Sequence, residues 1–284
     1  MDPRLPLLIH LHLLLYRAAF QLERGLRELL DVVAWSSTPP EQRDAVVSAL
    51  FARQPTYRRG GIDFERGLFT WEREGLGRPE WPERGRVLVG GAGGGRELVA
   101  LASRGYAVRG FEPVPSLAAA CAKECADLPD ASCLQGSYAD LLEALRTGSG
   151  PLAALAAEPP FDAVLLGWGS LAHVTDPACA EAVLGATRRL APSGPVFTSF
   201  YIAEEGRVRR VGDRLLRIFA ALGAPGHRPR GGYFRPNAGF LMTCKPEEVV
   251  SLAERHAYRV AAISVALPQP WALLVPADGP GPAR

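Results

Sequence analysis

A run of glycines carries the clearest chemistry in this chain. Val87-Leu88-Val89 is a β-rich stretch that ends in Gly90-Gly91-Ala92-Gly93-Gly94-Gly95, after which the residues turn helical. Glycine lets a backbone turn sharply and lets a ligand approach without meeting a Cβ. The start of the following helix adds N–H groups that have no partner inside the helix. The combination suits a nucleotide-like ligand at the carboxyl ends of strands. Glu112 closes the next β-rich run, in Gly110-Phe111-Glu112-Pro113. An ionised carboxylate only accepts, so at that strand end it can take hydrogen bonds from both hydroxyls of a ribose. Glycine spacing narrows the nucleotide. A strict G-x-G-x-x-G fails, because its last glycine falls on Arg96 or its second on Ala92; G-x-G-x-G fits as Gly91, Gly93 and Gly95.

The elements that must hold these residues follow from periodicity. Short β-rich runs at 86–89, 107–111, 132–135, 161–166 and 195–200 alternate with helical stretches at 96–104, 115–126 and 176–190. Such alternation predicts a parallel, doubly wound sheet with right-handed crossovers. Residues 260–267 and 271–275 read as two more strands, and the short Pro268-Gln269-Pro270 link favours an antiparallel pair. The expected fold is therefore α/β: a Rossmann-like doubly wound sheet, mostly parallel with an antiparallel C-terminal strand pair, plus an N-terminal helical cap. We expect the cap over 1–82, the sheet domain over 83–276 with an insertion at 202–244, and a frayed tail at 277–284.

With the glycine turn, the acid, the strand order and the terminal hairpin in place, residues 86 to 275 resemble the class I S-adenosylmethionine-dependent methyltransferases. The family's glycine motif maps onto Gly91, Gly93 and Gly95, and its ribose-binding acid onto Glu112. The resemblance implies S-adenosylmethionine as cofactor and methyl transfer to oxygen or nitrogen of a small-molecule acceptor. Two positions depart from the family pattern. Val89 stands where an acid is common, and Gly136 is followed by Ser137 and Tyr138 rather than aspartate. Ser137 is then the residue to hydrogen-bond adenine, and Tyr138 the one to pack on it. Glu97, just inside the first helix, is expected to orient the loop or meet the methionine amine, or simply to favour the helix dipole. An NAD(P)-dependent oxidoreductase on a similar sheet and a non-catalytic methyltransferase-like scaffold are the competing readings.

The fourth strand leads into Gly167-Trp168-Gly169-Ser170-Leu171-Ala172-His173. In the resembling family this loop lies beside the sulfonium. Methyl transfer is an in-line displacement in which the enzyme aligns an unprotonated nucleophile. His173, with an ordinary pKa of about 6.5, is the candidate general base. Trp168 is placed to wall the pocket or to approach the charged sulfur. The cap and the insertion are the natural covers, so Tyr57, Arg58, Tyr233 and Arg235 are the candidate acceptor contacts.

Composition limits the partners. The chain has 284 residues and a net charge of +2, so no strong field favours nucleic acid or a membrane surface. Cys121, Cys125, Cys133, Cys179 and Cys244 fit neither a disulfide framework nor a metal motif, and we expect no metal. The apolar run after Arg4 is too short to span a bilayer and lacks a convincing cleavage site, which leads us to expect a cytoplasmic protein. Leucines recur at three- and four-residue steps over residues 5–34. They predict one long helix, with Gly25 as the point where it would break, buried internally or facing the partner in a homodimer. Thr38-Pro39-Pro40-Glu41 reads as the start of the next helix, capped by Thr38.

Overall fold

The computed structural model describes residues 6–158, 160–202 and 207–277. Four helices precede the sheet: α1 (Leu7–Ser37), α2 (Pro40–Ala52), α3 (Ile62–Glu65) and α4 (Thr70–Leu76). Helix α1 runs unbroken through Gly25. Thr38 does not cap α2. Its N–H bonds the carbonyl of Ala34 and so finishes α1, while α2 starts at Pro40 without a side-chain cap. Proline tolerates that first position because its missing N–H would have had no partner there.

The sheet domain then follows the expected alternation: β1 (Arg86–Gly90), α5 (Arg96–Ala102), β2 (Ala107–Glu112), α6 (Pro115–Cys125), β3 (Ala131–Gln135), α7 (Tyr138–Thr147), α8 (Ala153–Ala156), β4 (Ala163–Leu166), α9 (Pro177–Leu190) and β5 (Val196–Ser199). The 202–244 stretch holds α10 (Arg207–Ala221) and a hairpin that the sequence did not announce, β6 (Gly232–Arg235) and β7 (Gly239–Met242). Helix α11 (Pro246–Arg255) and strands β8 (Tyr258–Ser264) and β9 (Trp271–Pro276) complete the domain. The expected tail lies outside the described residues from 278 on.

The seven strands are ordered β3-β2-β1-β4-β5-β9-β8. β1 to β5 run parallel, and β9 runs antiparallel to both β5 and β8. Side chains alternate across the sheet as its two-residue period requires. Leu88, Val164 and Val196 join the core under α7, α9 and α11, whereas Val87, Val89, Leu165 and Phe197 join the core under α4, α5 and α6. The strand order reverses between β1 and β4, so the crevice beyond Gly90 and Leu166 is the topological switch point.

A buried ionic cluster ties the cap to the insertion. Asp31 of α1 accepts from the Phe234 N–H, from Arg209 at 3.0 Å and from Arg228. Burial pushes the Asp31 carboxyl up, and the two arginines oppose that shift.

Candidate functional site

The site forms where the glycine loop meets the ends of β2 and β4. Gly91 and Ala92 both donate to the Phe111 carbonyl at 3.0 Å, folding the loop back over β2. Gly91 and Gly93 have φ of +68° and +55°, and Gly95 has +99°; side chains rarely adopt that region. At Gly91 a Cβ would also lie 2.3 Å from Ser170, so that position is closed twice over. Around Gly93 a Cβ would meet nothing within 4 Å, which leaves the loop crest open to an approaching ligand.

Glu112 holds this loop. It is 5% exposed, and it accepts from the Gly93 N–H at 2.8 Å and from the Val114 N–H at 2.9 Å. Burial raises its pKa to about 7, against the pull of those two backbone donors. Each carboxylate oxygen keeps a second acceptor position. A small cavity of about 310 Å³ adjoins it, lined by Pro113, Gln135, Gly136, Ser137, Asp140 and Pro151.

Arg96 anchors the far end of the loop. Both its terminal nitrogens bond Glu72 of α4, at 2.5 and 2.7 Å, and one also bonds Glu97 at 2.6 Å. Its guanidinium stacks over Phe69 at 4.1 Å. Burial works against the charge on Arg96, but the two carboxylates outweigh it and hold the pKa above its ordinary value. Glu97 is therefore engaged in this buried triad. The sequence carries one signal for the triad: a cation in the first helical turn opposes the helix dipole and calls for anionic partners.

Ser137 and Tyr138 also have partners within the chain. Ser137 caps α7: its Oγ accepts from the Asp140 N–H at 3.1 Å and donates to the Asp140 carboxylate at 2.7 Å. Tyr138 is buried edge-on against Phe111, with its hydroxyl 2.6 Å from Ser170 Oγ. Ser170 in turn donates to the Gly90 carbonyl at 3.1 Å. Ser137 thus borders the small cavity, and Tyr138 props the β1 and β4 ends beneath it.

The loop after β4 brings Trp168 and His173 to one wall. Trp168 Nε1 donates to Gln269 at 3.0 Å, and the indole meets Phe69 and Tyr57 edge-on at 4.7 and 6.1 Å. Phe51 bridges Tyr57 to His173, at 5.4 and 5.2 Å. His173 Nδ1 lies 2.9 Å from the Phe240 carbonyl, so Nδ1 carries the proton and donates it. Nε2 is left as the acceptor, with no hydrogen bond among the described residues. Burial lowers the His173 pKa, and the bond to Phe240 partly offsets this.

Of the four candidate acceptor contacts, Tyr57 joins this wall. Its carbonyl sits where a Cβ on Gly94 would come within 2.0 Å, so the cap rests directly on the glycine loop. Burial raises the Tyr57 hydroxyl to about 12. Arg58 is spent on docking, donating to Ala52 O at 3.0 Å and Ser116 Oγ at 2.9 Å. Arg235 lies over Tyr201 and Tyr233, at 5.2 and 5.7 Å, and Tyr201 packs against Gly169. Tyr233 and Arg235 face a broad groove of about 1650 Å³ shared with α1 and α10. Among the described residues no group of three or more His, Cys, Asp or Glu side chains is arranged to hold a metal ion. No helix of the described residues is long and apolar enough to cross a membrane.

No family model and no curated protein matches the sequence. Solved structures do match the fold. A SAM-dependent methyltransferase from Methanosarcina mazei is 15% identical over 73% of this chain and 96% of its own, with a TM-score of 0.52. DhpI, solved as a complex with SAH, is 17% identical over 85% of this chain and 97% of its own, with a TM-score of 0.53. The 1,6-didemethyltoxoflavin-N1-methyltransferase of Burkholderia thailandensis is 17% identical over 85% of this chain and 92% of its own, with a TM-score of 0.50. At such identities the likeness establishes the Rossmann-like methyltransferase fold.

Proposed function

With the Rossmann-like methyltransferase fold as premise, we propose that this chain transfers a methyl group from S-adenosylmethionine to an oxygen or nitrogen of a small-molecule acceptor. One observation carries the reading: at the switch point of the sheet, a buried carboxylate braces a glycine loop whose crest stands open. That arrangement fits an adenosine with a charged sulfur arm better than a dinucleotide, whose third glycine is replaced by Arg96.

When bound, S-adenosylmethionine supplies an electrophilic methyl on sulfonium. Glu112 would accept from the ribose hydroxyls. The backbone of Gly91 to Gly95 would lie along the ligand without a Cβ in the way, and the cavity beside Pro113 and Ser137 offers room for a flat base. Tyr57 and Trp168 would exclude water from the sulfur side. His173, neutral and with Nε2 free, would serve as a base for an acceptor hydroxyl or as the route by which an amine loses its proton. Tyr233 and Arg235, on the hairpin whose Phe240 carbonyl meets His173, would contact the acceptor. The nearly balanced charge of the chain supports a small molecule over a nucleic acid.

The test is incubation of the purified protein with methyl-labelled S-adenosylmethionine and extracts of its own host, read by mass spectrometry. A labelled product that disappears with Glu112→Ala supports the reading. Turnover of NAD(P)H without methylation would replace it with the oxidoreductase, and cofactor binding without any product would replace it with the scaffold.

A further inference from the structure

Helix α1 leaves most of its apolar surface without a partner. Leu8, Leu15, Leu22 and Leu29 recur every seven residues and are 78%, 60%, 75% and 44% exposed. A seven-residue recurrence keeps one stripe of a helix on one side over its whole length. Leu11, Leu26 and Val33 widen that stripe, and they too are exposed. The chain's own contacts lie elsewhere on α1: α10 and the hairpin are held through Glu28 and Asp31.

Two residues within the stripe are small, Ala18 and Gly25. Gly25 sits in the interior of a helix, where glycine is unfavourable relative to alanine. Nothing in its own chain explains it, because a Cβ there would meet no atom within 4 Å. A second helix approaching the stripe would explain it.

We propose that α1 pairs with α1 of a second copy of this chain, antiparallel, about a two-fold axis near residue 20. In that register the two small seam residues each face a large one. Leu15 of one protomer lies over Gly25 of its partner, Leu22 over Ala18, and Leu29 beside Leu11, and two-fold symmetry repeats each pair. Large against small is how facing helices interdigitate. A parallel pair would instead set glycine on glycine and alanine on alanine, leaving two layers of the seam thin.

The area is adequate. A leucine side chain corresponds to roughly 130 Å² at about 32 Å² per buried CH₂. The exposed leucines of the stripe with Val33 then offer on the order of 500 Å² per protomer, against roughly 800 Å² for a standard interface, a gap that a neighbouring helix must fill. Exposed Val211 and Ile218 on the neighbouring α10, with Leu222 just beyond its end, supply further apolar surface. A lipid surface fits less well. It has no use for a mid-helix glycine, and of the basic residues Arg17, Arg24 and Arg27 beside the stripe, Arg27 is already paired with Glu23 at 2.5 Å. Binding to an anionic bilayer favours basic flanks.

Sedimentation velocity on the full chain tests the proposal. The wild type is expected at twice 30.5 kDa, and Leu15→Glu with Leu22→Glu at 30.5 kDa with an unchanged circular dichroism spectrum. Gly25→Leu is expected to weaken the dimer at least about tenfold by overfilling the site opposite Leu15. A monomeric wild type, or a dimer that survives both glutamates, overturns the proposal. A dimer strengthened by Gly25→Leu overturns the antiparallel register. Co-sedimentation of a monomeric wild type with phosphatidylcholine–phosphatidylglycerol vesicles would assign the stripe to lipid instead.

Discussion

In the proposed reading, Glu112 couples the stability of the free protein to ligand binding through one buried side chain. Its pKa is raised to about 7, so ionising it costs the free protein stability that is intact near pH 4.5 and lost as pH rises through 7. Ribose hydroxyls need the ionised acceptor, so their binding improves over the same rise. Affinity for S-adenosylhomocysteine should therefore be about tenfold weaker at pH 6 than at pH 8. Calorimetry across that range checks this, and Glu112→Gln should flatten the dependence. At His173 the shift runs the other way. Burial favours the neutral ring, so turnover should hold to a pH below the ordinary histidine range before it falls. His173→Ala should slow turnover far more than it weakens cofactor binding, as steady-state kinetics beside calorimetry would reveal. Arg96 is held chiefly by Glu72, and removing one partner of a buried pair strands the other charge. Glu72→Ala should cost about 3–5 kcal/mol in denaturant unfolding. Residue types were readable at Glu112 and the glycines because their chemistry is local to a strand end. The Glu72–Arg96 pair was not, since its members lie in different elements and only tertiary packing brings them together.

At the scale of elements, the alternation of strands and helices was plain because the doubly buried strands survive in sequence as short apolar runs and the helices as longer stretches with one apolar face. The hairpin of β6 and β7 was hidden by its glycines and prolines, and by strands too short to show alternation. Its consequence reaches the proposed base, because the Phe240 carbonyl on β7 fixes which nitrogen of His173 carries the proton. Thr38 misled for a related reason: a cap signal beside a proline pair also suits the last turn of the preceding helix. The cap's grip on the glycine loop makes its own prediction. Gly94→Ala would drive a methyl into the Tyr57 carbonyl. The segment around residues 53–61 should then lift from the loop and become more open to limited proteolysis, with the sheet domain's thermal transition largely retained.

For the molecule as a whole, the topology concentrates chemistry at one edge. Reversal of strand order between β1 and β4 opens a single crevice, and the cap, the loop after β4 and the β6–β7 hairpin all converge on it. On the proposed function, the sheet frames the cofactor and discrimination among acceptors would fall to the N-terminal helices and the insertion, whose sequences carry no motif that names a substrate. Titration of S-adenosylhomocysteine and, separately, of NAD into the wild type and Glu112→Ala is the most direct measurement of the central claim. Wild type should bind S-adenosylhomocysteine at one site per chain and ignore NAD, with Glu112→Ala at least about tenfold weaker, since a charged hydrogen bond contributes about 1.5–3 kcal/mol. Binding of NAD in place of S-adenosylhomocysteine, or equal affinity in the variant, would contradict it.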